Sequence, residues 1–363
     1  MRRGLMAWDA AEIPLETLSG RATRLREAMQ AEGFDGLLIY TNFVRPSAVA
    51  WLTAFTPYWS EAILYVPRNG EMVFATALSK RVGQWLRSVD PVGEIVHTPR
   101  PGAEIGRRIA ADARIGRVGV LDFDTFPSGL FEDCRAAAGA VSFADGSATF
   151  GRARGTIDTT ERALIARADE LARDGLAAVD PGVLDAGSAV AAAEERVRIG
   201  GAEEAYVAIA PDLDADRRFV RRSGRMPLGP RFALRISTAY KGSWVRRIAT
   251  FARDGEGAAA AALGAAWFDE TIAGLDGQAP LGRQITAAVA RLPGAAAIHW
   301  MAETCLGSYP LEVIAGAGAA TERLPAEGSL VVLSLDLTIG GVPWSCGAPV
   351  ILGGGGIGSP QRR

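Results

Sequence analysis

The sequence predicts an α/β layer domain over residues 1–150, a second domain of helices and antiparallel strand pairs over 151–352, and a disordered tail, 353–363. Three observations lead there. A chain of 363 residues is too long for one small core, and about two domains are expected. In the first part short β-type runs recur, DGLLIYT, EAILYVP, EMVFAT, EIVHT and RVGVLDF, with helical stretches expected between them. In the second part FALRISTAY and SWVRRIATFAR flank Lys241-Gly242, which reads as a hairpin or a short-looped antiparallel pair.

The elements follow in order. Leu18 to Gly33 sets Leu25, Ala28 and Met29 on one helical face and stops at glycine. A strand from Asp35 to Thr41 comes next. A long helix begins near Asp158, where Glu161 three residues on completes a capping box, and its buried stripe is Leu164, Ala168, Leu171 and Gly175. Pro181-Gly182 ends it. Another helix spans Asp185 to Ile199 and stops at Gly200-Gly201. Beyond the hairpin lies an alanine-rich helix pair split near Gly277 to Leu281, then two strands, SLVVLSLDLTI and VPWSCGAPVIL, around Gly340-Gly341.

Composition narrows the function classes. A net charge of −2 with 22% charged residues gives no global signal for nucleic acid. Three cysteines, Cys134, Cys305 and Cys346, are odd in number and far apart, which argues for a reducing compartment rather than a secreted disulfide framework. No apolar run reaches membrane length, so a cytoplasmic protein without membrane or nucleic-acid partners is expected. The informative charge is local: Arg217 to Arg247 carries ten basic side chains and no acidic one. Guanidinium keeps its proton and has no lone pair to donate, so such a stretch cannot hold a metal cation.

The order of elements resembles the creatinase/aminopeptidase P family, whose "pita-bread" catalytic domain is shared with prolidase and methionine aminopeptidase. NFVRPSAVAWLTAFTPY is similar to that family's Asn-x-x-Tyr-Leu-Thr-Gly-Phe region, with Trp51, Leu52, Thr53 and Phe55 in step and Ala54 replacing glycine. Arg154 to Glu161 resembles the Arg-x-x-Lys-Ser-x-x-Glu entry to the catalytic domain, with Ile157 at the lysine. The resemblance covers nearly the whole chain. It implies an α/β creatinase-like N-terminal domain followed by an α+β pita-bread domain, and a homodimer.

The family binds two metal ions through two aspartates, a histidine and two glutamates. The resemblance puts Arg235 and Arg246 at the aspartates, Cys305 at the histidine, and Ser334 and Ser345 at the glutamates. None of the five ligand types survives, so no metal and no other cofactor are expected. Creatinase works without metal, through a histidine on the loop before the first ligand strand. Here Arg217, Arg218 or Phe219 occupies that neighbourhood.

Strand alternation sets Ala233, Arg235 and Ser237 on one face and Phe232, Leu234 and Ile236 on the other, so Arg235 and Arg246 point into one pocket. Two readings stand for them. They pair with nearby acids such as Asp336 or Glu312, or they hold a carboxylate or phosphate of a ligand bidentately. Arg218 and its neighbours are a solvated loop or a basic rim that attracts an anion. Cys305 is a buried hydrophobe or a thiol activated by arginines; Glu303, two residues earlier, is a candidate general base, and Asp336 a further proton carrier. His299 is a structural histidine or shares a role with Cys305. Tyr58, Trp59 and Arg45 pack in the core or, as the resemblance implies, reach into a partner subunit's site.

Two functions follow. One is a metal-independent enzyme acting on a C–N bond of a small anionic molecule or peptide, with Arg235, Arg246, Arg218, Ser334, Ser345, Tyr58 and Trp59 binding and Cys305, Glu303 and Asp336 moving protons. The other is a catalytically inactive relative that binds a ligand, peptide or protein. An active Xaa-Pro metallopeptidase is the third.

Overall fold

The computed structural model describes the chain except residues 1–7, 43, 56–60, 90–92, 222–223, 305–311, 318–323, 325–326, 354–356 and 358–363. The chain divides into two compact units, the first ending at Thr160 and the second beginning at Glu161.

In the N-terminal unit, α1 (Leu15–Ala31) leads to β1 (Gly36–Thr41), α2 (Ser47–Thr53), β2 (Ala62–Pro67), β3 (Val73–Thr76), α3 (Gly83–Val89) and β4 (Glu94–His97). Then come α4 (Pro101–Ala111), β5 (Arg117–Val120), α5 (Ser128–Ala138), β6 (Ser142–Asp145) and α6 (Ser147–Arg154). The strands form one mixed sheet in the order β4-β3-β2-β1-β5-β6. Alternation along β1 feeds two cores. Leu37 and Ile39 pack with Leu25, Met29, Trp51 and Phe150 on one face, while Leu38 packs with Ile105, Ile109 and Cys134 on the other.

The expected helix between every strand pair is corrected at β2 and β3, which pair antiparallel and are joined directly. The run Arg68–Asn69–Gly70, with Gly70 at φ 105°, turns the chain too tightly for a helix. Ala54 caps α2 at φ 55°, the left-handed region that the glycine of the resembling motif enters without strain. The guanidinium of Arg21 closes the unit on itself, donating to Asp158 at 2.7 Å and 3.0 Å.

The helix α7 (Thr159–Ala177) runs into the second unit, followed by α8 (Ala186–Ile199), β7 (Glu204–Ala210), β8 (Arg231–Tyr240) and β9 (Ser243–Ala252). Next are α9 (Gly255–Ala273), α10 (Leu281–Val289), β10 (Ala295–Thr304), β11 (Glu312–Gly316), β12 (Leu330–Ile339) and β13 (Val342–Ile351). Seven strands pair antiparallel throughout, in the order β11-β10-β12-β13-β9-β8-β7. Leu164, Ala168, Leu171 and Gly175 of α7 are buried, as the stripe predicts. Gly175 has to be small, since a Cβ there would stand 2.5 Å from Val197 and 3.0 Å from Ile236.

The turn between β8 and β9 has Lys241 at φ 48° and Gly242 at φ 77°, the two positive values that a two-residue hairpin requires. Glu203 stabilises it by accepting from the amides of Lys241 (2.8 Å) and Gly242 (2.6 Å). On the helix side, α9 and α10 bury Phe268, Ile272, Leu281 and Ile285 against Leu333, Leu335, Leu337, Trp344 and Cys346. The opposite face of the same sheet carries the polar residues.

Candidate functional site

Side-chain alternation assigns these residues. On β9, Arg247 turns to the helices, where its Nε and Nη2 donate to Asp169 of α7, the latter at 3.1 Å. Its neighbour Arg246 therefore faces the other way. In the pairing register Ser237 lies opposite Arg246 and Arg235 opposite Ile248. Gly347 meets Ile248 on one side and Ser334 on the other, and Ser345 meets Asp336. On β10, Glu303 lies opposite Val332, Met301 opposite Ser334 and His299 opposite Asp336. Arg235, Arg246, Ser334, Ser345, Asp336 and Glu303 thus share one face, as the sequence predicts for the first two.

Their connections differ from the expected ones. Arg246 Nη1 donates to Glu303, and its Nε to Ser237 Oγ at 3.3 Å. Both partners are buried, with side chains 10% and 9% exposed. Of the two acids expected to pair with the arginines, Asp336 accepts from Ser345 Oγ at 2.5 Å, and the Glu312 side chain lies outside those described. Burial pushes the Glu303 carboxyl above its ordinary range, and the guanidiniums of Arg246 and Arg235 offset only part of that rise. Ser345 is fully buried and also exchanges bonds with Thr250, whose hydroxyl is 2.8 Å from both its amide and its carbonyl. The Ser345 hydroxyl is thus enclosed and engaged within the protein. Ser334 Oγ is shielded from solvent and has no hydrogen-bond partner.

The loop between β7 and β8 brings in two further residues. Backbone bonds between Ile209 and Val220, and from the Asp216 amide to the Asp212 carbonyl, fold it back as a narrow hairpin. Alternation along its returning arm sends Arg217 and Phe219 to the polar face and Arg218 away from it. Arg217 Nη1 donates to the Leu337 carbonyl at 2.7 Å, and the Phe219 ring centroid lies 5.2 Å from the Arg235 guanidinium carbon. Burial lowers the affinity of Arg217 for its proton, countered by the charges of Asp336 and Asp214. Arg218 is 85% exposed and paired with Asp216 at 2.7 Å. Arg218 thus stands off the polar face, and Arg217, one position earlier, stands on it. Period-two alternation from Asp216 to Val220 was the available signal.

Cys305, Tyr58 and Trp59 lie outside the described residues. Arg45 bonds the carbonyl and hydroxyl of Thr125 at 2.9 Å and 2.8 Å. His299 is exposed. Two cavities, of about 440 and 370 Å³, belong to the N-terminal unit, beside Arg26 and Arg68 and beside Arg21 and Asp158.

A divalent cation does not fit the described side chains of the polar face. Three of its residues, Arg217, Arg235 and Arg246, are guanidiniums, the Glu303 carboxylate is taken by Arg246, and Asp336 is bonded to a serine. Among the described residues no group of three or more His, Cys, Asp or Glu is placed to hold a metal ion.

Residues 21–155 match the family described as Creatinase/Prolidase N-terminal domain. That match lies within the N-terminal unit. Around this creatinase-type domain the whole chain has the prolidase fold, which solved structures share at low identity. Prolidase from Pyrococcus horikoshii OT3 superposes with a TM-score of 0.68 at 12% identity, over 93% of this chain and 96% of that one. Xaa-Pro dipeptidase from Bacillus anthracis gives 0.66 at 14%, over 92% and 95%. The N-terminal domain of the FACT complex subunit SPT16 from Cicer arietinum (chickpea) gives 0.58 at 14%, over 93% and 94%. No curated protein matches the sequence. Identities this low establish the creatinase-type architecture and leave activity to the side chains. Among the described residues, no helix is long and apolar enough to cross a membrane.

Proposed function

We propose that this chain binds a small carboxylate-bearing molecule on the polar face of its C-terminal sheet and acts on a C–N bond of it without a metal ion. The observation that carries this reading is the buried Arg246–Glu303 pair: guanidinium and carboxylate neutralise each other where a hydrolytic metal centre would need carboxylates free to bind cations. Arg235 and Arg217 supply the positive field for an anion. Glu303, its carboxyl raised by burial, and Asp336 are the groups suited to moving a proton at the substrate nitrogen.

Two other readings have support of their own. Glu303 and Ser345 are both engaged internally, which favours a binding module without turnover. The names of the prolidase and Xaa-Pro dipeptidase neighbours favour a peptidase, and hydrolase chemistry is common to that reading and the first.

A turnover screen over amides, amidines and dipeptides, run with and without a chelator, separates the three. The expected result is chelator-insensitive turnover that is lost in Asp336→Asn. Stoichiometric manganese, cobalt, iron or zinc together with chelator-sensitive dipeptide cleavage would establish the peptidase instead, and absence of turnover with retained carboxylate binding the module. A cytoplasmic homodimer belongs to the same proposal, and sedimentation of the purified protein tests the dimer.

A further inference from the structure

Arg217 and Asp336 sit on the same face with opposite charges that act on each other, yet no ion pair within 4 Å joins them among the described residues. Each is half-buried, and each keeps hydrogen-bonding capacity in hand. Arg217 uses Nη1 on the Leu337 carbonyl, which leaves the other edge of its planar fork. Asp336 accepts from Ser345 through Oδ1, which leaves Oδ2. Two residues along the same face of β12 from Asp336, Ser334 has a shielded hydroxyl without a partner. Arg246, by contrast, is committed to Glu303.

Opposite charges partly removed from water gain most when each meets a counter-charge at hydrogen-bond distance. A pair that is near but not joined leaves both needs open. One molecule with an anionic and a cationic end meets both at once. A purely anionic molecule meets only the first, and its charge is then repelled by Asp336.

We propose that Arg217 and Asp336 are the two ends of a subsite for a small zwitterion, with its carboxylate on the Arg217 guanidinium and its ammonium on Asp336 Oδ2. This rests on reading the face as a carboxylate site and names the class of molecule that it takes. It also moves the anchoring cation from Arg235 and Arg246, which the family likeness puts at the ligand positions, to a residue delivered by the hairpin before β8. Phe219, two residues from Arg217 on the same side, gives the methylene part of such a molecule an apolar neighbour.

Calorimetric titration of the full chain with β-alanine, propionate and propylamine tests this, with Arg217→Gln, Asp336→Asn and Arg235→Gln alongside wild type. β-Alanine is expected to bind about tenfold or more tighter than either single-charge probe, the scale of one charge-assisted hydrogen bond. Arg217→Gln should weaken β-alanine and propionate alike. Asp336→Asn should weaken β-alanine while leaving propionate equal or tighter, a sign reversal that loss of folding would not produce. Propionate binding as well as β-alanine to wild type overturns the zwitterion subsite. So does carboxylate binding that survives Arg217→Gln and disappears in Arg235→Gln, although the carboxylate-site reading then stands. No binding of any probe by the folded wild-type chain at millimolar concentration removes both.

Discussion

The Arg246 guanidinium of β9 bonds the Glu303 carboxylate of β10 across the two strands, β13 and β12, that lie between them. A long side chain laid over the sheet thus ties together strands that share no backbone ladder. Both charges are buried, so each depends on the other for compensation.

Arg246→Ala removes the guanidinium that bonds a buried carboxylate, leaves it the charge of Arg235, and should destabilise the C-terminal unit by about 3 kcal/mol. Glu303→Gln keeps an acceptor for the guanidinium and should cost clearly less. Urea denaturation followed by tryptophan fluorescence measures both. Equal effects of the two variants would mean that the pair contributes little.

The same pair sets a pH dependence. In the folded protein Glu303 binds its proton more tightly than an ordinary glutamate at 4.5, because burial outweighs the adjacent guanidiniums. With a raised folded value, the native state holds a proton that the unfolded chain has released. Stability from protonated Glu303 is complete below the ordinary value and is lost as pH rises through the raised one. Wild type should therefore lose stability relative to Glu303→Gln over that window. A difference that stays flat, or grows with pH, contradicts it.

Ser345 is enclosed on the polar face, bonding Asp336 and Thr250. Ser345→Ala should lower stability by about 1–2 kcal/mol, the usual effect of unpairing a buried hydrogen-bonding group, and leave propionate affinity within about twofold. Melting curves and titration together check this. A loss of affinity without a loss of stability would return Ser345 to the ligand.

Lys241 adopts φ 48° at the first turn position between β8 and β9, where asparagine is the more favourable side chain. Lys241→Asn should stabilise the protein by about 0.5–1 kcal/mol, read as a higher melting temperature. Its backbone bond to Glu203 is retained in the variant.

Much of the architecture was legible because periodicity reports burial directly. The stripe of α7, the β8–β9 hairpin and the turn at Gly340-Gly341 emerged where expected. The direct β2–β3 connection was missed because five apolar runs in a row suggest parallel crossovers, and only the tight turn at Gly70 distinguishes a hairpin. At the site, alternation placed Arg235 and Arg246 on one face. It could not foresee that Arg246 would find Glu303, since that contact joins residues 57 apart in sequence. Arg217 and Arg218 looked equivalent as a basic run. They separate only once the Ile209–Val220 bridge gives the loop a strand-like arm with two sides.

That arm makes the register of a short loop a determinant of chemistry. Deleting one residue at its Asp212–Asp216 tip would slide Arg218 and Val220 inward and expel Arg217 and Phe219 together. Ligand preference on this scaffold can then diverge between descendants through a change in loop length, with every framework strand left as it is.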